Sequence, residues 1–309
     1  IRKSNLEGYK IPGLKEALKL LLFADDATVY LSKNNNFATL QNILDKWCMA
    51  SKAKFNINKT KVIPMGSVGY WAQVQQTRRL SLLQAEIPEN IAITNDHTAI
   101  RSLEDKVGNK INREASWTSV LERTNQKLNT WRNRKLTMVG QAALCQPYVG
   151  GCSQFLAAAQ GMPDAITKEL DKYIPEFVWG HVGTPTVNCN SLAQAHKQGG
   201  KSLLSINTRN KAIHITWWRD YLRIGTQHPR WAYVVNQIMI KAAGGHDRTS
   251  LTQVFPLQTW RPFNKGSENP YRLPAQLKEA VKVAKKYGLR AEALVPEDGV
   301  ARYLPAWEH

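Results

Sequence analysis

Asp25 and Asp26 stand side by side between two apolar runs, Leu18-Lys19-Leu20-Leu21-Leu22-Phe23 and Ala27-Thr28-Val29-Tyr30-Leu31. Carboxylates held together on a tight turn repel each other, and a hard cation such as Mg²⁺ relieves that repulsion through oxygen ligation. Taken alone, an Asp-Asp pair is also an ordinary solvated hairpin tip. Here it is flanked by strand-like segments and set in a strongly basic chain. A second group of residues carries charge rather than ligands: Arg123, Lys127, Arg132, Arg134, Lys135, Arg209, Lys211, Arg219 and Arg223 fall on the polar sides of helical patterns with few acids to balance them. That pattern points to a phosphate backbone.

The elements that must position these groups follow from periodicity. The runs around the aspartates are short and bounded by polar residues, so they read as two hairpin strands with the acids at the turn. Asn34-Asn35-Asn36 offers N-caps to a helix with the stripe Phe37, Leu40, Ile43, Leu44 and Trp47. Lys54–Asn58 and Lys61–Gly66 read as two further strands, and residues 71–112 as a less regular connector rich in Gln, Thr and Asn. From Ser116 the pattern becomes helical, with stripes at Trp117, Val120, Leu121, Thr124, Leu128 and Trp131, then Leu136, Val139, Ala143 and Leu144, then Ile166, Leu170, Tyr173, Ile174 and Phe177. A loop with Pro185 and Gly199-Gly200 leads to a fourth helix over 207–222 carrying Ala212, Ile215, Trp218 and Leu222. Such stripes are core, and no cofactor is read into them. The tail from about Thr226 is punctuated by Pro and Trp and contains a basic helix over 275–287.

With 309 residues, 43% of them apolar, the chain can build two or three compact units. The net charge of +18 and sequence pI near 9.8 call for a polyanionic partner. No apolar run approaches the roughly 18 residues of a membrane span. Cys48, Cys145, Cys152 and Cys189 form neither a CxxC nor a disulfide framework, which fits a reducing compartment. Cys189, His181 and His196 lack a fourth ligand and a zinc-site spacing. The start, Ile1-Arg2-Lys3-Ser4, has neither an initiator Met nor a signal-peptide core, so an internal fragment is expected. An unrelated Mg²⁺-dependent phosphotransfer domain would show repeated strand–helix alternation around a parallel sheet, and the pattern does not.

Phe23-Ala24-Asp25-Asp26-Ala27, then a helix, then Ser51-Lys52-Ala53-Lys54-Phe55-Asn56 with Lys59-Thr60, resembles motifs C and D of the reverse transcriptases of non-LTR (long interspersed element type) retrotransposons. The lead-in Glu7-Gly8-Tyr9-Lys10-Ile11-Pro12-Gly13 is similar to the stretch before motif C. Further on, Phe177-Val178-Trp179, then Gly199-Gly200-Lys201-Ser202-Leu203-Leu204, then Arg209-Asn210-Lys211-Ala212-Ile213 with Trp217-Trp218 resemble the helical region that follows the polymerase in that family. The likeness covers roughly residues 1 to 225.

That resemblance implies an α+β fold: a partial polymerase palm over 1–70 (hairpin, helix, short strands), the connector 71–112, a thumb-like helical domain over 113–225, and an extension over 226–309. It implies an RNA-directed DNA polymerase using two Mg²⁺ ions, with RNA template, DNA primer and deoxynucleoside triphosphates as partners and no membrane. Asp25 would be a direct metal ligand, Asp26 a second carboxylate, and Lys59 a group that neutralises or protonates pyrophosphate, although an ordinary exposed lysine reads the same way. The family's motif A aspartate lies upstream of motif B, and these residues begin after motif B. The chain is therefore expected not to polymerise alone, and it needs the missing N-terminal half. Ala27, Lys52 and Lys201 depart from the family's usual Thr, Gly and Leu, a sign of relaxed constraint. Lys52 would be strained if its position requires a positive φ.

Overall fold

The two apolar runs pair as β1 (Leu20–Phe23) and β2 (Asp26–Val29), antiparallel, with Leu20 opposite Val29 and Phe23 opposite Asp26. The structure, a computed structural model, describes residues 1–103, 105–180, 186–223, 225–243 and 273–289. It is mixed α+β, mainly helical with three two-stranded sheets among the described residues, and it divides into two units, 1–112 and 113–309.

In the first unit the hairpin is followed by α1 (Phe37–Ser51), whose N-cap Asn36 accepts a hydrogen bond from the Ala38 amide at 2.9 Å. Phe37 and Leu40 are buried and Ile43 and Leu44 pack beside them, while Trp47 lies outside and meets Phe55 at 5.2 Å between ring centroids. The helix ends at Lys52, which adopts φ 61° so that its amide can reach the Cys48 carbonyl. A left-handed cap favours glycine, because a Cβ there meets backbone. Lys52→Gly is accordingly expected to raise stability by about 0.5–1 kcal/mol, read as a higher urea midpoint with an unchanged m-value. The position is exposed and its side chain makes no hydrogen bond or ion pair, so the change gives up only a cation near the helix C-terminus, a smaller term.

Two expected strands are corrected. Lys54–Asn58 is not a strand: the Asn56 side chain accepts from the Lys59 amide at 3.2 Å and closes a 3₁₀ turn over Ile57–Lys59. An Asn that bonds its own neighbourhood competes with a strand ladder in this way. Lys61–Gly66 shortens to β3 (Lys61–Val62), since Pro64 and Gly66 interrupt it, and it pairs in parallel with β4 (Ala92–Ile93). The stretch 71–112, expected as a connector, belongs to this unit: α2 (Val68–Thr77) and the turns after it bring Val74, Leu80, Ile87 and Ile91 onto Leu6, Phe37 and Leu40. Arg78 ties that region together, donating from Nε to the Ile87 carbonyl at 3.0 Å and from Nη2 to the Pro88 and Ile91 carbonyls at 2.6 and 2.7 Å. A second hairpin, β5 (Ile100–Ser102) with β6 (Asp105–Val107), completes the unit.

The second unit is helical. Its main core joins α3 (Thr118–Arg132), α4 (Met138–Cys145), α5 (Cys152–Gln160), α6 (Asp164–Trp179), α7 (Cys189–Ala193) and the start of α8 (Ile206–Tyr221). Stripes expected for α3 and α6 hold: Trp117, Val120, Leu128, Ile166, Leu170, Ile174 and Phe177 are buried. The α4 stripe is misphased. Val139 is 49% exposed and Ala143 also faces out, while Ala142, Cys145 and Val149 are buried. The buried positions keep helical spacing on a neighbouring face, and a π-helical turn over Gln146–Gly151 then links α4 to α5. Burial pushes the Cys145 thiol up to about 12, so it packs as an apolar group.

A second core, absent from the sequence reading, unites the end of α8 with α9 (Arg230–Ala243) and α10 (Ala275–Lys286) through Trp218, Tyr221, Ala232, Met239, Val281 and Ala284. Ala212, expected in the α8 stripe, is exposed instead, and Ile206, Trp218 and Tyr221 are that helix's buried residues. Both α9 and α10 thus fall within the unit rather than in a separate extension.

Candidate functional site

Ala24 and Asp25 form the two-residue turn of the hairpin, and Asp26 is the first residue of β2. Only Ala24 of the two turn residues has a positive φ, 50°, the position where a II′-type turn normally takes glycine. The tip is strained, and it is held by what lies at its base. Tyr9 and Leu18 exchange backbone hydrogen bonds at 2.8 Å, and Tyr30 N donates to the Lys19 carbonyl at 2.9 Å, extending the ladder. Asn35, only 5% exposed, accepts from the amides of Gly8 and Ser32 at 3.3 and 2.9 Å, while Ser32 Oγ donates to Glu7 at 3.0 Å. Gly8 has φ 69°, and a Cβ there would come within 2.7 Å of the Leu18 carbonyl oxygen. The lead-in Glu7-Gly8-Tyr9 therefore buttresses the hairpin. Sequence reasoning gave Asn35 only a capping role; Asn36 caps, and Asn35 binds the two crossing segments.

Both aspartates are exposed, as are Leu21 (45%), Leu22 (61%) and Phe23 (66%). Water screens two exposed like charges, so the turn stands without a counterion. Their oxygens are the right kind for one partly hydrated Mg²⁺ completed by a phosphate ligand. A centre holding two ions needs further carboxylate. Among the described residues, no three of His, Cys, Asp and Glu gather into a possible metal site, and His181 lies outside them. The pair therefore fits one ion and not two, and no transfer step follows from it alone. Lys59, exposed at the end of its 3₁₀ turn, makes no ion pair with either aspartate.

The basic residues separate by environment. Arg123, Lys127 and Arg132 lie exposed on α3, with Glu122 the one acid of that helix. Lys127 Nζ sits 5.5 Å from the Tyr148 ring centroid, and the Arg134 guanidinium 5.4 Å from that of Trp131, so aromatic faces hold both cations in place. Lys135 is exposed beside them. On α8, Lys211 is half-buried, and Arg219 and, just past the helix, Arg223 both reach Asp220 at 3.2 Å, which offsets part of their charge. Arg209 departs from the set. Its guanidinium points into the unit, where Nη1 donates to the Gly150 carbonyl and to Ser153 Oγ, each at 2.9 Å, and burial pulls its pKa down. A guanidinium so occupied is not presented to a phosphate.

The four cysteines are all free thiols. No helix among the described residues is long and apolar enough to cross a membrane. No family model matches the chain, and no curated protein matches it.

Proposed function

We propose that these residues are the C-terminal part of an RNA-directed DNA polymerase of the non-LTR retrotransposon type, carrying an acid-bearing hairpin and a basic helical unit that follows the template–primer backbone. The observation that carries this reading is the hairpin itself. The tight turn puts Asp25 at its tip and Asp26 at the head of β2, and the helix and Lys-Phe-Asn segment follow in the order the resemblance requires. In this reading Asp25 and Asp26 hold Mg²⁺ and Lys59 faces pyrophosphate, while Arg123, Lys127, Arg132, Arg134, Lys135, Lys211 and Arg219 neutralise phosphates. The described residues bring no third carboxylate to the pair, so polymerisation depends on a segment outside them. A specific observation favours a second reading, a non-catalytic basic module that binds RNA or DNA: the exposed aspartates are screened and stable without a metal.

Two measurements separate the readings. The 309-residue chain should bind RNA and DNA with an affinity that falls steeply with salt, log Kobs changing by about −0.9 per neutralised phosphate against log salt on duplex. Fused behind an upstream polymerase segment, it should extend a primer, and Asp25→Ala should abolish that extension. Salt-dependent binding without extension in any fusion leaves the binding module, and a chain that binds no nucleic acid at all sinks both.

A further inference from the structure

Between α8, α9 and α10 lies a cavity of about 180 Å³, walled by His214, Trp217, Trp218 and Tyr221 of α8, Trp231 of α9 and Leu277 of α10. Trp217 meets Trp231 edge to face at 4.6 Å between ring centroids, and Trp218 meets Tyr221 in the same way at 5.1 Å. A cavity of roughly 150 Å³ is enough to hold benzene, so this one has room for a single ring with its exocyclic groups.

The polar atoms on the walls fall into two sets. Trp218 Nε1 donates to the Ala280 carbonyl at 2.7 Å, and the Tyr221 hydroxyl donates to Asn236 Oδ1 at 2.6 Å. Gln276 is engaged as well: its amide nitrogen donates to the Gln160 carbonyl and its oxygen accepts from the Gly161 amide, each at 3.2 Å. Among the described residues, by contrast, His214, Trp217 and Trp231 are half-buried and make no hydrogen bond. Ring nitrogens in such places normally find a partner. Burial pulls the His214 pKa down against a smaller upward pull from Glu279, so at pH 7 the imidazole is neutral and offers one donor and one acceptor.

These walls select among ligands. An aliphatic chain would leave all three ring systems without a hydrogen-bond partner. A quaternary ammonium, the usual guest of an aromatic cage, finds little acid here. Glu279, the acid that acts on His214, is paired with Lys282 at 3.1 Å, and Lys211 lies one turn before His214 on α8. An uncharged heteroaromatic ring matches the size, the stacking faces and the unused nitrogens together. Such a ring tethered to phosphate also suits the cation on the same helix.

We propose that this cavity is a pocket for one unpaired base of a bound nucleic acid, with Trp217 and Trp231 as its stacking faces and His214 as its hydrogen-bonding group. This rests on the nucleic-acid reading above and adds a base contact to a set of phosphate contacts. A base within a duplex is stacked on its neighbours, so the pocket takes its base from a single strand. Stacking releases no counterion, so the pocket alters affinity without altering the salt slope.

The test compares the full chain with Val235→Phe, which puts a ring into the cavity, and Trp217→Leu, which removes a stacking face. Circular dichroism and urea unfolding confirm that each variant is folded. The probes are octauridylate, the same sugar-phosphate octamer without bases, and free uridine. Octauridylate should bind the unaltered chain about fivefold to a hundredfold tighter than the abasic octamer, and it should shift the indole N–H resonances of Trp217 and Trp231 to saturation. Both variants should lose most of that preference while keeping the salt slope of the parent. Equal affinity of the unaltered chain for the two octamers, or an undiminished preference in the variants, overturns the pocket and leaves the nucleic-acid reading intact. Binding of neither octamer overturns both. Indole shifts that saturate with free uridine but not with octauridylate assign the cavity to a free nucleoside and overturn the proposal.

Discussion

Arg209→Met is expected to cost the second unit about 2 kcal/mol, and Arg209→Lys at least as much. The guanidinium lies over the π-helical turn between α4 and α5, where Nη1 bonds the Gly150 carbonyl and Ser153 Oγ at 2.9 Å and Nη2 bonds Asn210 Oδ1 at 3.2 Å. Hydrogen bonds from a charged donor contribute roughly 1.5–3 kcal/mol each, and a buried carbonyl deprived of its partner costs about 1–3. Opposing this, Arg209 forms no ion pair with a carboxylate, and its Nε is buried without a partner. Removing a charge kept without a counterion returns part of its desolvation cost. Methionine loses the bonds and recovers that cost. Lysine keeps the charge, reaches fewer acceptors, and recovers nothing. Urea unfolding followed by far-UV circular dichroism gives the order, with Met the milder change. The opposite order, with Lys also preserving any nucleic-acid affinity, would return Arg209 to the proposed phosphate-binding face.

The residue shows where sequence reading stops. Arg209 lies on a helix among other cations, and nothing in its pattern distinguishes it from Lys211 or Arg219. Its inward turn follows from the extra residue of the π-helical turn, which exposes carbonyls to it. In α4 the buried face holds Ala142 and Cys145 rather than Val139 and Ala143, because small and apolar residues lie all round that short helix and periodicity alone does not choose between its faces. Helices with unbroken periodicity, α1, α3 and α6, are legible in most of their core residues, Trp47 of α1 being the exception. The hairpin was legible too, because two apolar runs meet across a two-residue gap. Strands were read poorly where side chains bond locally, as at Asn56, and where the partner lies far along the chain, as β4 does for β3. The second core was invisible because α10 meets α8 across more than fifty residues of sequence, joined by Trp218 and Ala280. For the candidate site, the identity of Asp25 and Asp26 was legible but their environment was not: exposure removes the electrostatic compulsion towards a metal that adjacency alone implied.

Gly200→Ala is expected to be the most damaging single-methyl change in the second unit, about 3 kcal/mol or more, while Gly199→Ala costs about 1–2. The two neighbours differ in kind. Gly199 has φ 82° and ends the 3₁₀ turn His196–Gln198, but a Cβ on it would meet open space, so alanine brings only left-handed strain. Gly200 is buried, and a Cβ on it would overlap the Gln194 carbonyl. That carbonyl is not free to move, because it accepts from Ser202 N at 3.0 Å, and the Leu192 carbonyl beside it accepts from both Lys201 N at 2.8 Å and Leu203 N at 3.0 Å. These bonds turn the chain back on itself, bury Leu203 against the core that holds Leu192, and set Ser205 to cap α8 through the Thr208 amide at 3.3 Å. Displacing Gln194 therefore disturbs Leu203 and the entrance to α8 together, and α8 carries Lys211 and Arg219. Gly200→Ala should lower the denaturation midpoint far more than Gly199→Ala and, on the proposed function, weaken nucleic-acid binding with it. Equal losses at the two positions would mean that φ alone, and not the close approach to Gln194, explains the glycine pair.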